Sequence, residues 1–273
     1  MDEIDEIGST AFLIAELRAL EATQTTPLFS DPYAAVFYNQ ESSQALNRYN
    51  SVAPFFGKSV RMRTRWFDDT VNRCVDEGYS QILILGAGFD CRALRFSRSG
   101  VTFFEVDQPG VMRYKSKVLR EAMHNHNAVI IESDYTDPEM IDLLVKNGFQ
   151  LDKKTLVIWE GNTYYLPPAL IRSVLQGLRN KISTLRVAFD FFGTSVIEGN
   201  SVSPSMKAAI PILKRIGAPW HGGIDNVNFL AEEVGMKVEE HFTADEIHKL
   251  LLIEEQNLGQ DSGVEYGLCI FAN

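Results

Sequence analysis

The chain has 273 residues, of which 45% are hydrophobic and 23% charged, and its formal net charge is −10. This composition predicts a globular protein with a large core, and the negative charge disfavours binding to nucleic-acid phosphates. The acidic first ten residues are unlike a signal peptide, and no apolar run approaches the roughly 20 residues that span a bilayer. We therefore expect a cytoplasmic protein whose partners include neither nucleic acid nor membrane.

Residues 1–78 predict a helical N-terminal cap. Apolar side chains recur at helical spacing in FLIAELRAL. Within PLFSDPYAAVF, Asp31 is a predicted N-cap and Pro32 a first-turn residue of a short helix. A longer helix is predicted over RMRTRWFDDTVNRCVDEG, with Trp66 on its apolar face and Gly78 as its stop.

From Gln81 onward, short apolar strands alternate with amphipathic helices. The predicted strands cover 81–86, 101–106, 127–132, 155–160 and 184–190, and the predicted helices between them cover 109–124, 137–147 and 168–179. This alternation is typical of parallel strands joined by right-handed helical crossovers. After a helix near 204–216, the segments NVNFLAEEVG, MKVEEHF and VEYGLCIFAN predict a helix, a strand and a final strand.

The three cysteines carry no signal for a special site. Cys74, Cys91 and Cys269 are far apart and lie outside any CxxC or Cys/His cluster. Neither a disulfide framework nor a metal site is indicated, and we expect reduced thiols.

The first predicted strand runs into a glycine turn, Gly86-Ala87-Gly88. In an open parallel sheet, ligands bind beyond the carboxyl ends of the strands, where the strand order reverses. Residues with small side chains let a ligand lie against the backbone there. A structural turn without a ligand is the alternative interpretation.

Acidic residues follow the next three predicted strands. Asp107 stands 19 positions after Gly88, where a carboxylate can accept hydrogen bonds from both ribose hydroxyls of a nucleoside. Asp134 is suited to an exocyclic amine of the base, and Glu160 ends TLVIWE. Singly, each acid is as typical of a helix N-cap or a solvated surface. Together, on consecutive strand ends, they predict a nucleoside site.

The motifs LGAGFDCRALRF, FFEVDQPGVMRYK, SDYTD and WEGNTYYLPP resemble, in order and spacing, the leucine carboxyl methyltransferase family and its bacterial branch of S-adenosylmethionine-dependent O-methyltransferases. The opening segments resemble that family too, so the resemblance covers about the first 190 residues. It implies an α/β fold with a Rossmann-like methyltransferase sheet of about seven strands, the last antiparallel, in residues 79–273. The cap and an insertion at about 191–225 would form a lid over the acceptor site.

The resemblance also implies S-adenosyl-L-methionine as cofactor and a role for each motif. The glycine turn would contact the methionine half, Asp107 the ribose, Asp134 the adenine amine, and Glu160 the ribose or the amino-acid end. Arg63, chosen over Arg61 and Arg65, would pair with the methionine carboxylate. The implied cofactor-binding set is Arg63, Gly86, Ala87, Gly88, Asp107, Asp134, Tyr135 and Glu160.

Three departures from the family pattern stand out. Cys91 replaces the usual threonine, which is a better hydrogen-bonding group. Asn162 and Thr163 replace residues that are commonly apolar. The lysine that eukaryotic members use near the cofactor is lacking, and Arg18 is the nearest candidate. These departures concern the acceptor pocket more than the cofactor site.

The implied reaction is in-line methyl transfer to an oxygen of a small-molecule or peptide acceptor. A carboxylate acceptor is already ionised near neutral pH and needs no general base, whereas a phenol needs one. The acceptor-pocket candidates are Tyr164, Tyr165 and His221, and no residue is assigned a catalytic role.

Two other functions remain open from the sequence. A nicotinamide-dependent dehydrogenase also uses a Gly-x-Gly turn and an acid, but its fingerprint requires a third glycine where this chain has Cys91. A non-catalytic protein that senses S-adenosylmethionine would carry the same cofactor motifs.

Overall fold

The computed structural model describes residues 9–38, 54–125, 127–201, 203–215, 218–251 and 265–273. The strands are β1 Gln81–Leu85, β2 Thr102–Asp107, β3 Ala128–Glu132, β4 Lys154–Trp159, β5 Thr184–Phe192, β6 Lys237–Thr243 and β7 Tyr266–Ala272. They form one seven-stranded sheet in the order β3-β2-β1-β4-β5-β7-β6. Strands β1 to β5 are parallel, and β7 is antiparallel to both β5 and β6. The predicted α/β sheet with an antiparallel last strand is confirmed.

The helices surround this sheet. They are α1 Ser9–Leu20, α2 Pro54–Asp76, α3 Arg92–Arg95, α4 Pro109–Glu121, α5 Met140–Lys146, α6 Pro168–Lys181, α7 Thr194–Ile197, α8 Pro204–Arg215, α9 Val227–Val234 and α10 Ala244–Leu250. None of these helices is both long enough and apolar enough to cross a bilayer.

Two helix predictions differ from the structure by more than a few residues or in helix type. Helix α2 begins seven residues before the predicted start, at Pro54, a residue suited to a first turn. Gly57 lowers the helix propensity of that turn, so the sequence did not indicate that the helix extends to Pro54. The short helix predicted after Asp31 is a single 3-10 turn, Ala34–Phe37, although Asp31 does accept a hydrogen bond from the Ala34 N–H at 3.1 Å.

Two apolar cores cover the two faces of the sheet. In β1, Ile82 and Ile84 point into one core while Leu83 and Leu85 point into the other, because side chains alternate along a strand. The first core also takes in apolar side chains of α1 and α2. The helical N-terminal segment therefore packs directly on the sheet. The predicted cap also includes residues 1–8 and 39–53, which lie outside the described residues.

The strand order fixes where a ligand can bind. From β1 the chain moves outward to β2 and β3, and it then returns to the other side of β1 to form β4. The loops that follow β1 and β4 therefore lead away in opposite directions at the carboxyl edge of the sheet. This reversal leaves a crevice between the two strand ends.

Candidate functional site

A cavity of about 210 Å³ opens at this crevice. The residues that line it lie at or beyond the carboxyl ends of β1, β2 and β4 or belong to α1 and α2. Among the predicted cofactor residues, those that line the cavity are Arg63, Gly86, Ala87, Gly88, Asp107 and Glu160. Tyr164 and Tyr165 line it as well, whereas Asp134, Tyr135 and His221 do not. The structure thus brings most of the predicted site residues together.

The two glycines of the turn are required for different reasons. Both have left-handed backbones, with φ +64° at Gly86 and +47° at Gly88, which glycine adopts readily. A Cβ atom on Gly86 would lie 2.3 Å from Oδ1 of Asn162. A Cβ atom on Gly88 would meet only the Cβ of Ala11, at 4.0 Å, among the described residues. Gly86 therefore makes room for a side chain, and Gly88 faces open space beside the cavity.

Asp107, the final residue of β2, is held in a fixed orientation. Its Oδ2 accepts a hydrogen bond from the Gly88 N–H, and its Oδ1 accepts one from the Gln108 N–H, both at 2.7 Å. Burial raises the pKa of this carboxyl, while the two hydrogen bonds oppose that shift. Each carboxylate oxygen has two acceptor sites, so Asp107 can accept further hydrogen bonds from a ligand.

Glu160, directly after β4, is surrounded by arginines. Its Oε1 accepts hydrogen bonds from Arg18 Nη2 at 2.9 Å and Arg63 Nε at 3.0 Å, and its Oε2 accepts one from Arg92 Nη1 at 2.6 Å. Burial alone would raise the pKa of Glu160, but these three cations outweigh it and hold the pKa well below its usual range. In this structure Glu160 orients two arginines beside the cavity. Its predicted direct contact with a cofactor remains a prediction.

Arg18 and Arg63 present cationic groups to the cavity. Arg18 is buried, and its Nε has no hydrogen-bond partner among the residues that the structure describes. An unpaired buried donor of a charged group is costly, and an anionic ligand would relieve that cost. Arg63 Nη1 donates to the Tyr164 hydroxyl at 3.1 Å and to Asp190 Oδ2 at 3.2 Å. The cavity is thus suited to a carboxylate.

Asp190 supports Arg63 from within β5, and its role was not predicted from the sequence. This fully buried carboxylate also accepts hydrogen bonds from the Gly161 N–H at 2.6 Å and the Tyr266 hydroxyl at 2.9 Å. Burial raises the pKa of Asp190, and the neighbouring Arg63 cation opposes the shift. A lone acid in the otherwise apolar run VAFDFF was the signal that could have identified it.

A second group not identified from the sequence is the buried pair of Asp90, which lines the cavity, and Arg92. Arg92 Nη1 donates to Asp90 as well as to Glu160, and Arg92 Nε donates to Asp68 at 2.7 Å. Burial would raise the pKa of Asp90, but the Arg92 and Arg18 cations lower it below its ordinary value. Two charged residues directly after a glycine turn were the available signal.

Aromatic side chains flank the tyrosine end of the cavity. The Tyr164 ring lies 4.5 Å from the Trp220 ring and 5.3 Å from the Phe192 ring, centroid to centroid. No described residue of the predicted lid segment, 191–225, lines the cavity itself. That segment meets the cavity wall from outside, where Phe192 and Trp220 pack on Tyr164.

Three predicted site residues lie apart from the cavity. The exposed Asp134 accepts hydrogen bonds within its own turn, from the N–H and the hydroxyl of Thr136 at 2.8 and 2.7 Å. The Tyr135 hydroxyl is 3.5 Å from Asn162 Oδ1. His221 is exposed, and its backbone N–H donates to the Tyr164 carbonyl at 2.7 Å. Their assigned roles remain predictions.

The strand order and the cavity at the strand reversal define the class of fold, a Rossmann-like methyltransferase fold. Two solved structures share it over nearly the whole chain. A DUF574 family protein from Streptomyces avermitilis MA-4680 matches with a TM-score of 0.69 and 11% identity, over 96% of each chain. A proposed methyltransferase from Thermobifida fusca YX matches with a TM-score of 0.65 and 14% identity, over 95% of this chain and 94% of the other.

The chain belongs to the leucine carboxyl methyltransferase family, because the model of that family matches residues 11–179. A protein from Mycobacteroides abscessus is 31% identical over 185 residues, which are 62% of this chain and 60% of the relative. One from Mycolicibacterium paratuberculosis is 32% identical over 195 residues, 65% of this chain and 63% of the relative. The names of both describe proposed S-adenosyl-L-methionine-dependent methyltransferases. The chain spans about three fifths of the length of these relatives. The family resemblance is confirmed.

Proposed function

We propose that this chain is an S-adenosyl-L-methionine-dependent O-methyltransferase that acts on a carboxylate of a small-molecule or peptide acceptor. One observation carries the proposal. A single cavity presents the Asp107 carboxylate, two arginine guanidinium groups and a glycine turn without obstructing side chains. S-Adenosylmethionine offers the complementary groups, namely ribose hydroxyls for Asp107, a carboxylate for the arginines and a methionine half that can lie against the glycine turn.

The described residues fit this cofactor. Asp107 retains acceptor sites for ribose hydroxyls, and its carboxylate is fixed by two backbone N–H groups. Arg18 has an unpaired buried Nε that can donate to the amino-acid carboxylate. Arg63 lies next to Arg18, because both donate hydrogen bonds to Oε1 of Glu160. Once bound, the cofactor supplies a methyl group activated on a sulfonium. The protein holds the acceptor oxygen in line with that methyl group and keeps water out.

A carboxylate acceptor suits this cavity better than a phenol. Burial raises the pKa values of Tyr164 and Tyr165, so neither hydroxyl is ready to accept a proton as a phenolate. The Glu160 and Asp90 carboxylates are engaged by arginines. A carboxylate acceptor is ionised at neutral pH and requires no proton transfer. The net charge of −10 favours a small molecule or a peptide over nucleic acid.

Calorimetric titration of the purified chain with S-adenosylmethionine, S-adenosylhomocysteine and NAD tests the cofactor assignment. We expect binding of the first two ligands and none of NAD. The reverse pattern would favour a dehydrogenase and overturn the proposal.

Transfer of a tritiated methyl group to a library of carboxylates and phenols tests the reaction. We expect a methyl ester, which mild alkali hydrolyses to volatile methanol, whereas a phenol ether survives this treatment. Alkali-stable product would contradict the carboxylate assignment. Cofactor binding without transfer to any member of the library would favour a non-catalytic sensor.

A further inference from the structure

The side-chain amide of Asn162 joins the ends of two neighbouring strands beside the cavity. Its Nδ2 donates to the Glu160 carbonyl at 2.6 Å and to the Gly86 carbonyl at 3.3 Å, and the Leu85 carbonyl is 3.4 Å away. Glu160 follows β4, whereas Leu85 is the last residue of β1 and Gly86 follows it. One side chain thus spans the crevice at which the strand order reverses.

Packing and hydrogen bonding act together at this point. The Asn162 amide lies over Gly86 so closely that a Cβ atom there would be 2.3 to 2.6 Å from its Oδ1, Cγ and Nδ2 atoms. On the opposite side of β1, Oδ2 of Asp107 in β2 accepts a hydrogen bond from the Gly88 N–H at 2.7 Å. The glycine turn is therefore held from both strands adjacent to β1, by Asp107 on one side and by Asn162 on the other.

We propose that Asn162 is a positioning residue that fixes the glycine turn relative to the arginine end of the cavity. The inference rests on the proposed function. Asn162 is bonded to the backbone of Glu160, whose side chain holds Arg18 and Arg63. A change at Asn162 should therefore displace Arg18 and Arg63, where the cofactor carboxylate would bind, more than it displaces Asp107.

The amide group is essential to this role. It supplies two N–H donors to backbone carbonyls, which neither a leucine nor a carboxylate of the same size can do. A leucine would leave the Glu160 carbonyl without this donor, and an aspartate would place negative charge against it. Both changes remove the amide link between the glycine turn and the Glu160 carbonyl, while the β1–β4 ladder remains and Asp107 still binds the turn from the other side.

The test compares two ligands on Asn162→Leu, with Asn162→Asp as a second variant in case the first does not fold. S-Adenosylhomocysteine carries the amino-acid carboxylate, and 5′-methylthioadenosine lacks it. We expect calorimetric dissociation constants about tenfold higher for S-adenosylhomocysteine, and within about threefold of wild type for 5′-methylthioadenosine. The matched control is Asn147→Leu, because exposed Asn147 also donates from Nδ2 to a carbonyl, that of Leu143 at 2.9 Å, away from the cavity.

The outcomes separate the possible roles of Asn162. A folded variant that binds S-adenosylhomocysteine as tightly as wild type overturns the inference. So does an equal loss for both ligands, because it indicates a general structural role, and so does loss of folding in both variants. If the wild-type chain itself binds neither ligand, the proposed function fails and the inference falls with it.

Discussion

Arg18 on α1 donates a hydrogen bond to Glu160 after β4 at 2.9 Å, across 142 positions of the sequence. The two side chains are only 5% and 4% exposed. Arg63 on α2 donates to the same oxygen atom at 3.0 Å. A single carboxylate oxygen therefore fastens both N-terminal helices to the carboxyl edge of the sheet, directly beside the cavity.

Glu160→Gln removes the anion at this junction and leaves three guanidinium groups without their shared counter-charge. Breaking a buried ion pair from one side is strongly destabilising, so we expect the free energy of unfolding to fall by about 3 kcal/mol. Urea denaturation measures the change. The control is Glu132→Gln, because Glu132 pairs with Arg113 at 3.0 Å on the exposed surface. That change should cost less than about 1 kcal/mol, and equal losses in the two variants would contradict the prediction.

The stabilising effect of Glu160 should depend on pH. An unfolded glutamate titrates near pH 4.3, whereas the arginines lower the folded pKa of Glu160 far below that value. On acidification the unfolded state therefore takes up the proton first, and the stability contributed by Glu160 is lost below about pH 4.3. The difference in unfolding free energy between wild type and Glu160→Gln should be constant from about pH 7 to 5 and then shrink by up to about 1.4 kcal/mol per pH unit. A difference that grows on acidification would refute this assignment.

Asp107→Ala should weaken S-adenosylmethionine binding at least tenfold, by about 1.5 to 3 kcal/mol for each charge-assisted hydrogen bond to the ribose that is lost. The variant should still fold, as its circular dichroism can verify. The control is Asp137→Ala, since Asp137 accepts a hydrogen bond from the Glu139 N–H at 2.8 Å on the exposed surface. Unchanged cofactor affinity in folded Asp107→Ala would rule out the ribose assignment.

Gly88→Val should abolish cofactor binding, because the new side chain would point into space beside the cavity that the ligand needs. The change also strains a left-handed backbone, so the control must carry a similar strain. Gly148 has φ +95°, and a Cβ atom there would contact nothing within 4 Å in the described part of the chain. Gly148→Val should lose stability but keep its affinity. Retained binding in Gly88→Val would mean that the ligand does not cross this turn.

Hydrogen exchange should separate the two halves of the predicted lid. Helix α1 contributes Ala11, Ile14 and Arg18 to the cavity wall, so S-adenosylhomocysteine alone should slow amide exchange in 9–20. The described residues of 191–225 contact the cavity wall from outside, where Phe192, Trp220 and the His221 N–H meet Tyr164, and protection of this segment should need an acceptor as well. If neither the first 30 residues nor 191–225 gains protection with both ligands present, the lid hypothesis is wrong.

The sheet was largely predictable because buried parallel strands are continuous apolar runs. The prediction for β1 was 81–86 and the strand is Gln81–Leu85; for β4 it was 155–160 and the strand is Lys154–Trp159. Short helices such as α10 were not predicted, because seven residues show little hydrophobic periodicity. The capping box of α10 was nevertheless visible in the sequence as Thr243 followed three positions later by Glu246.

Helix geometry separates the cavity-lining arginine of α2 from its two neighbours. Arg61 and Arg65 are four positions apart and share one face of α2, while Arg63 lies on the opposite face and lines the cavity. Arg61 pairs instead with Glu21 at 2.6 Å. The link that the Asn162 amide forms to the glycine turn could not be predicted, because it depends on the missing side chain of Gly86, 76 positions earlier.

Strand β7 lies between β5 and β6, so those two strands share no partner until Tyr266–Ala272 has been synthesised. During translation, β5 leaves the ribosome long before the strand that completes its hydrogen bonding. Asp190 in β5 likewise gains its hydrogen bond from the Tyr266 hydroxyl only after Tyr266 has emerged. Since Asp190 holds Arg63 beside the cavity, a nascent chain that has not reached β7 carries every residue that lines the cavity but lacks part of the support that orders it.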